Sequence, residues 1–117
     1  MQPESVRMDN FESVIDSHRM VLLDFWSPTC QPCKILGTVF EEMAKHNPDI
    51  FFGKVNVEES ADLAKAFQIR SVPTLMGFKN GELLFEQTGL PNPNQLEGML
   101  EAIRKMEPDP EALELEN

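Results

Sequence analysis

Several things are scarce in this chain, and each scarcity removes a class of function. It has only two cysteines and two histidines in 117 residues. A structural zinc site needs four ligands, and no further cysteine is at hand to supply them. The histidines, His18 and His46, lie far in sequence from the cysteines and are expected to be solvated residues at helix ends. No metal is therefore expected. No apolar run approaches the roughly 20 residues that a membrane span needs. The opening segment, Met1 to Arg7, has no basic stretch followed by an apolar one, so it does not read as a secretory signal. The expected compartment is the cytoplasm, where two thiols in a close pair are more often catalytic than structural. Basic residues are few as well, with 10 Lys and Arg against 20 Asp and Glu, a net charge of −10. Nucleic acids and anionic membrane surfaces are poor partners for such a chain.

What is present centres on the two cysteines. Cys30-Gln31-Pro32-Cys33 follows the apolar run Val21-Leu22-Leu23-Asp24-Phe25-Trp26 and precedes a helical pattern. A strand that ends in a Cys-x-x-Cys turn and opens a helix has the form of a dithiol/disulfide redox site. Helix amides and the helix dipole stabilise a thiolate at the first cysteine. The second cysteine, one turn on, can close a disulfide with it, and the thiolate is the species that attacks a disulfide. A purely structural disulfide remains an alternative, although so short a loop gains little from chain entropy.

Asp24 is the second anomaly. It interrupts an apolar strand, and strand alternation points it away from the face that carries Leu23 and Phe25. A buried carboxylate is costly and tends to be protonated or paired. Beneath the cysteine helix it would suit a general acid/base that takes the proton of Cys33 and returns it. Lys54, in the run Phe51 to Val57, is placed either to pair with Asp24 and lower its pKa or to reach solvent. Trp26 is expected to be core, with a shielding role toward the dithiol. Val72-Pro73 stands before a strand, either as an ordinary strand start or as a cis proline.

The rest of the chain reads as one domain with a single core. Val6 to Met8 suggests an edge strand, and Asp9 an N-cap for a helix over Asn10 to Ser17 with Glu12 completing a capping box. Met20 to Trp26 is a strand buried on both faces. A helix over Gln31 to His46 carries Ile35, Leu36, Val39, Phe40 and Met43 at helical spacing. Ile50 to Val57 is a second central strand, and Ser60 caps a short helix to Phe67. Thr74 to Lys79 and Glu82 to Thr88 form a hairpin about Asn80-Gly81. Asn92-Pro93 opens a last helix with Leu96, Met99, Leu100 and Ile103 on one face. The order β-α-β-α-β-α-β-β-α predicts an α/β fold, a mixed sheet of four to five strands with helices on both faces. Residues 107–117 hold five acids and no base. They are expected to form a solvated, disordered acidic tail outside the domain of residues 1–106.

Taken in order, Asp24-Phe25-Trp26, Cys30-Gln31-Pro32-Cys33-Lys34, Lys54-Val55-Asn56-Val57, Ser71-Val72-Pro73-Thr74, Phe78-Lys79-Asn80-Gly81-Glu82 and Gly89 resemble the landmarks of the thioredoxin family, across roughly residues 5–106. The resemblance implies the thioredoxin fold with Val72-Pro73 in the cis form facing the disulfide. It implies Cys30 as the exposed attacking thiolate, Cys33 as the buried resolving thiol, and Asp24, assisted by Lys54, as the keeper of the Cys33 proton. It implies a substrate groove lined by Trp26, Thr29, Gln31, Pro32, Ser71, Val72, Pro73 and Gly89, with main-chain groups of Val72 holding the substrate strand. The cysteine pair itself is the redox group, and no bound cofactor is implied. The implied partners are disulfide-containing proteins and a disulfide reductase that regenerates the dithiol, with the protein acting as a monomer.

The chain departs from the family pattern at three places. Thr29 stands where an aromatic residue usually precedes the first cysteine, Gln31 where glycine is usual, and Thr38, beside Gly37, where a helix-kinking proline is usual. The first two are expected to alter partner choice, and the third to leave a straighter helix. The function expected is reduction of protein disulfides. The alternatives are a dedicated disulfide oxidase or isomerase, and a thioredoxin-fold binding or chaperone module.

Overall fold

The computed structural model of the protein describes residues 2–106. The acidic segment 107–117, expected to be a tail, lies outside the described residues. The elements are β1 (Glu4–Ser5), α1 (Met8–Ser17), β2 (Met20–Trp26), α2 (Gln31–His46), β3 (Phe51–Asn56), α3 (Ala61–Ala66), β4 (Thr74–Lys79), β5 (Glu82–Thr88) and α4 (Pro93–Lys105). The strands form one sheet in the order β1-β3-β2-β4-β5. β1, β3 and β2 run parallel, while β4 is antiparallel to β2, and β5 to β4. This is the expected mixed sheet, with five strands.

β2 is the centre of the sheet, and its near-continuous apolar sequence follows from that position. Val21, Leu23 and Phe25 point to one side and pack with Val14 and Ile15 of α1 and Leu63 of α3. Leu22 points to the other side, with Leu36, Phe40 and Ala44 of α2 and Leu96, Met99, Leu100 and Ile103 of α4. Helices thus cover both faces, as a strand apolar on both sides requires. Asp24 shares the Leu22 side and is fully buried.

The N-terminal expectations need correction. The edge strand is Glu4–Ser5, not Val6 to Met8. Val6 is buried and donates its N–H to Lys54 O at 2.8 Å, continuing the strand edge for one residue. The Arg7 N–H is then taken by Asn10 Oδ1 at 2.6 Å, so Arg7 is the N-cap and the helix begins at Met8. Asp9, expected to be the cap, lies in the first turn, where a carboxylate favours the helix dipole. Ser60 does occupy the N-cap of α3, but without a side-chain cap bond. His18 is half-buried rather than solvated, its ring 4.3 Å from that of Phe51, whereas His46 is exposed as expected. α2 runs unbroken through Gly37 and Thr38.

At the other end the expectations hold. Asn80, at φ 53°, and Gly81, at φ 83°, make the β4–β5 turn with the positive φ values that an Asn-Gly hairpin supplies. Asn92 caps α4, accepting the Gln95 N–H at 2.8 Å while Gln95 Oε1 accepts that of Asn92 at 2.8 Å.

Candidate active site

The site lies where β2 ends and β4 begins. Cys30 is the N-cap residue of α2 and Cys33 lies in its first turn. Their disulfide is closed, with Cα atoms 5.2 Å apart. The Cys33 N–H donates to Cys30 Sγ at 3.2 Å, so a main-chain donor of the first helical turn is aimed at the first sulfur. No acidic residue stands in that turn to oppose a negative charge there. Such an N-terminus lowers a thiol pKa. Cys30 is half-buried and Cys33 is 4 % exposed, so an incoming group meets Cys30 first.

The opposite wall is the turn before β4. The Val72-Pro73 bond is cis, the alternative that the resemblance implied. Cys30 Sγ lies 3.7 Å from Val72 O. Two bonds fix this turn: Thr74 Oγ1 donates to Ser71 O at 2.7 Å, and the Gly89 N–H donates to Pro73 O at 2.9 Å. Gly89 holds φ 93°, which a side chain would disfavour. Ser71, Thr29, Gln31 and Pro32 are exposed, and Val72, Gly89 and Trp26 are half-buried. Trp26, expected to be core, is only partly so, and its buried indole Nε1 has no hydrogen-bond partner among the described residues.

On β2, ahead of the cysteine turn, Asp24 is fully buried, and neither carboxylate oxygen has a hydrogen-bond partner among the described residues. Burial raises its pKa to about 7, opposed by the positive charge of Lys54. Lys54 stands directly opposite Asp24 in the parallel β2–β3 register. Its Nζ lies 4.7 Å from the centroid of the Trp26 ring, a cation–π arrangement. On its other side is α2 at Gly37, where an added Cβ would sit 3.6 Å from that Nζ. A buried carboxyl that titrates near neutrality can accept and return a proton at physiological pH. Among the described residues no group of three or more His, Cys, Asp or Glu is arranged to hold a metal.

Two polar residues beside the site were not singled out from the sequence. Ser27 Oγ donates to Glu58 Oε2 at 2.8 Å and lies 3.1 Å from Thr29 Oγ1. A sequence separation of 31 hides this pair from any local pattern. The one signal in reach was Ser27-Pro28-Thr29, two hydroxyls immediately before Cys30.

Comparison with known proteins agrees with this geometry. The thioredoxin family model matches residues 2–103. The chain is 40 % identical over 101 residues to a putative thioredoxin 2 of Streptomyces coelicolor, covering 86 % of this chain and 75 % of that protein. It is 39 % identical over 94 residues to a thioredoxin of Buchnera aphidicola, covering 79 % and 87 % of the two chains. A solved structure of a mutant thioredoxin from Halobacterium salinarum superposes with a TM-score of 0.83 at 32 % identity, covering 92 % of this chain and 95 % of the other.

Proposed function

The chain belongs to the thioredoxin family, and from that premise we propose the part that each of its residues plays in reducing protein disulfides. The protein is a thiol–disulfide oxidoreductase of the protein-disulfide reductase type. The oxidase, isomerase and binding-module alternatives are not favoured. The observation that carries the residue assignment is the closed Cys30–Cys33 disulfide at the N-cap of α2.

In the reduced enzyme, the Cys30 thiolate attacks one sulfur of a substrate disulfide. A mixed disulfide forms at Cys30, and the other substrate sulfur leaves as a thiolate that takes a proton. Cys33 gives its proton to Asp24 and attacks Cys30 Sγ. The Cys30–Cys33 bond forms, the second substrate sulfur leaves as a thiolate that takes up the proton Asp24 releases, and the substrate departs as a dithiol. Two electrons have passed to the substrate, and the enzyme is left in the oxidised state seen here. The buried position of Cys33 and the pKa of Asp24 near 7 support this division of labour. Lys54 tunes Asp24 by charge. The cysteines are the redox group, so the cycle needs no bound cofactor.

The groove assigned to the substrate is lined by Trp26, Thr29, Gln31, Pro32, Ser71, Val72, Pro73 and Gly89. Support comes from the approach of Val72 O to Cys30 Sγ and from the bond that ties Gly89 to Pro73. We assign the protein as a monomer. A disulfide reductase is the partner assigned to return the enzyme to the dithiol, making the protein a carrier of electrons. That cycle suits a reducing compartment, and we assign the cytoplasm. The domain is assigned to residues 1–106, with 107–117 as a separate acidic segment.

The test is insulin reduction under dithiothreitol with the wild type and Cys33→Ser. Strong catalysis by the wild type that collapses in Cys33→Ser, with a mixed disulfide trapped at Cys30, is the expected result. Full activity in Cys33→Ser would overturn the assignment of the resolving thiol.

A further inference from the structure

The hydrogen-bond polarity beside Cys30 is fixed by a residue outside the groove. Ser27 follows β2 directly and is 7 % exposed. Its hydroxyl has one proton to give and two positions to accept. The Glu58 carboxylate is an acceptor, so the bond of 2.8 Å between them uses the Ser27 proton. Ser27 Oγ can then only accept. It accepts the Thr29 N–H at 3.3 Å, and across the 3.1 Å contact with Thr29 Oγ1 the threonine must be the donor. Thr29 therefore turns its only hydroxyl proton inward. Its oxygen keeps acceptor capacity that this bond does not use, on an exposed residue directly before Cys30. Both ends of the relay are anchored: the Cys30 N–H donates to Ser27 O at 3.2 Å, and the Glu58 N–H to Asn56 Oδ1 at 2.9 Å.

We propose that the relay from Thr29 through Ser27 to Glu58 presents Thr29 Oγ1 beside Cys30 as a hydrogen-bond acceptor, so that the enzyme favours disulfides flanked by a side chain that donates a hydrogen bond. Thr29 is the specificity-determining residue, and Ser27 and Glu58 are positioning residues that touch no substrate. The proposal rests on the reading in which Cys30 is the attacking sulfur. It also gives the replacement of the usual aromatic by Thr29 a physical meaning: an apolar contact is exchanged for a directional polar one.

The test uses two synthetic peptides, each closed by one internal disulfide and identical except for Thr or Val after the attacked cysteine. These side chains have nearly the same shape and differ by the hydroxyl. Initial rates give kcat and KM for the wild type, Thr29→Val, Ser27→Ala and Glu58→Ala. The wild type is expected to favour the Thr peptide in kcat/KM by about threefold to tenfold, the worth of one hydrogen bond. The preference should reside in KM, fall toward one in Thr29→Val, and weaken in Ser27→Ala and Glu58→Ala, where the Thr29 hydroxyl is no longer held in one orientation. A purely structural role would slow both peptides equally and lower Tm while keeping the ratio, and that result would overturn the proposal. Equal turnover of both peptides by the wild type would overturn it too and leave the Cys30 reading intact. Turnover of neither peptide, nor of insulin, would overturn both.

Discussion

Asp24 and Lys54 face each other across neighbouring parallel strands, yet the carboxylate is fully buried and its oxygens have no hydrogen-bond partner among the described residues. The lysine meanwhile rests on the Trp26 ring. Its charge offsets part of the desolvation of Asp24 and leaves the pKa near 7.

This makes Asp24 a liability for stability at neutral pH. Its pKa rises from 3.8 to about 7 on folding, so the folded state binds the proton more tightly. The stability that follows is fully present below about pH 4 and is lost as pH rises through about 7. Three units correspond to about 4 kcal/mol at most. Oxidised Asp24→Asn should therefore be more stable than oxidised wild type at pH 8, and the gap should close toward pH 4. Urea unfolding at both values measures this, and a gap independent of pH would contradict it.

The same group should mark the pH dependence of catalysis. The rate of insulin reduction is expected to show an inflection near pH 7 that disappears in Asp24→Asn. In Lys54→Met the positive charge that lowers the Asp24 pKa is gone, so the inflection should move upward. A profile unchanged in both variants would remove Asp24 from the proton path.

Away from the site, Gly77 of β4 lies opposite Phe85 of β5. A Cβ at Gly77 would run into the Phe85 ring. Gly77→Ala is expected to cost about 1–3 kcal/mol, as overpacking does. Adding Phe85→Leu should recover part of that loss, since the two residues share one space. Additive losses in the double variant would show that the ring is not the obstacle.

Arg104 clasps Asp49 through Nε to Oδ2 at 2.8 Å and Nη2 to Oδ1 at 3.0 Å. The side chains are 37 % and 45 % exposed, so water and salt screen the pair. Arg104→Ala should cost less than about 1 kcal/mol and less still in high salt. The bond from Lys79 Nζ to Arg104 O, at 2.7 Å, involves only the main chain of residue 104 and survives the substitution. A loss of several kcal/mol would mean that the cluster supports the C-terminal end of α4 more than its exposure implies.

The elements most legible in the sequence were those whose local chemistry and tertiary role coincide. β2 is apolar on both faces because it is central, Asn80-Gly81 supplies the φ values of its turn, and Asn92 caps α4. The reading slipped where a tertiary bond decides a boundary. Arg7 caps α1 only because Asn10 takes its amide, and a two-residue β1 is too short to show a period. In the site, Asp24 betrayed itself as a charge in an apolar run. Ser27 and Glu58 did not, because each looks ordinary in its own segment and the meaning lies in their meeting.

β2 leaves the sheet at Trp26, and β4 enters it at Thr74, on the same edge, because these neighbours run antiparallel with Phe25 beside Thr74. The cysteine turn and the Val72-Pro73 turn therefore hang from the same end of one ladder, like the jaws of a calliper cut from a single plate. Their separation follows the spacing of paired strands, ~5 Å, and has little freedom to widen. On the proposed reading of the groove, the adjustment needed for exchange falls on the other molecule, whose cystine would arrive drawn out as an extended strand or on a segment that has already come loose from its own fold.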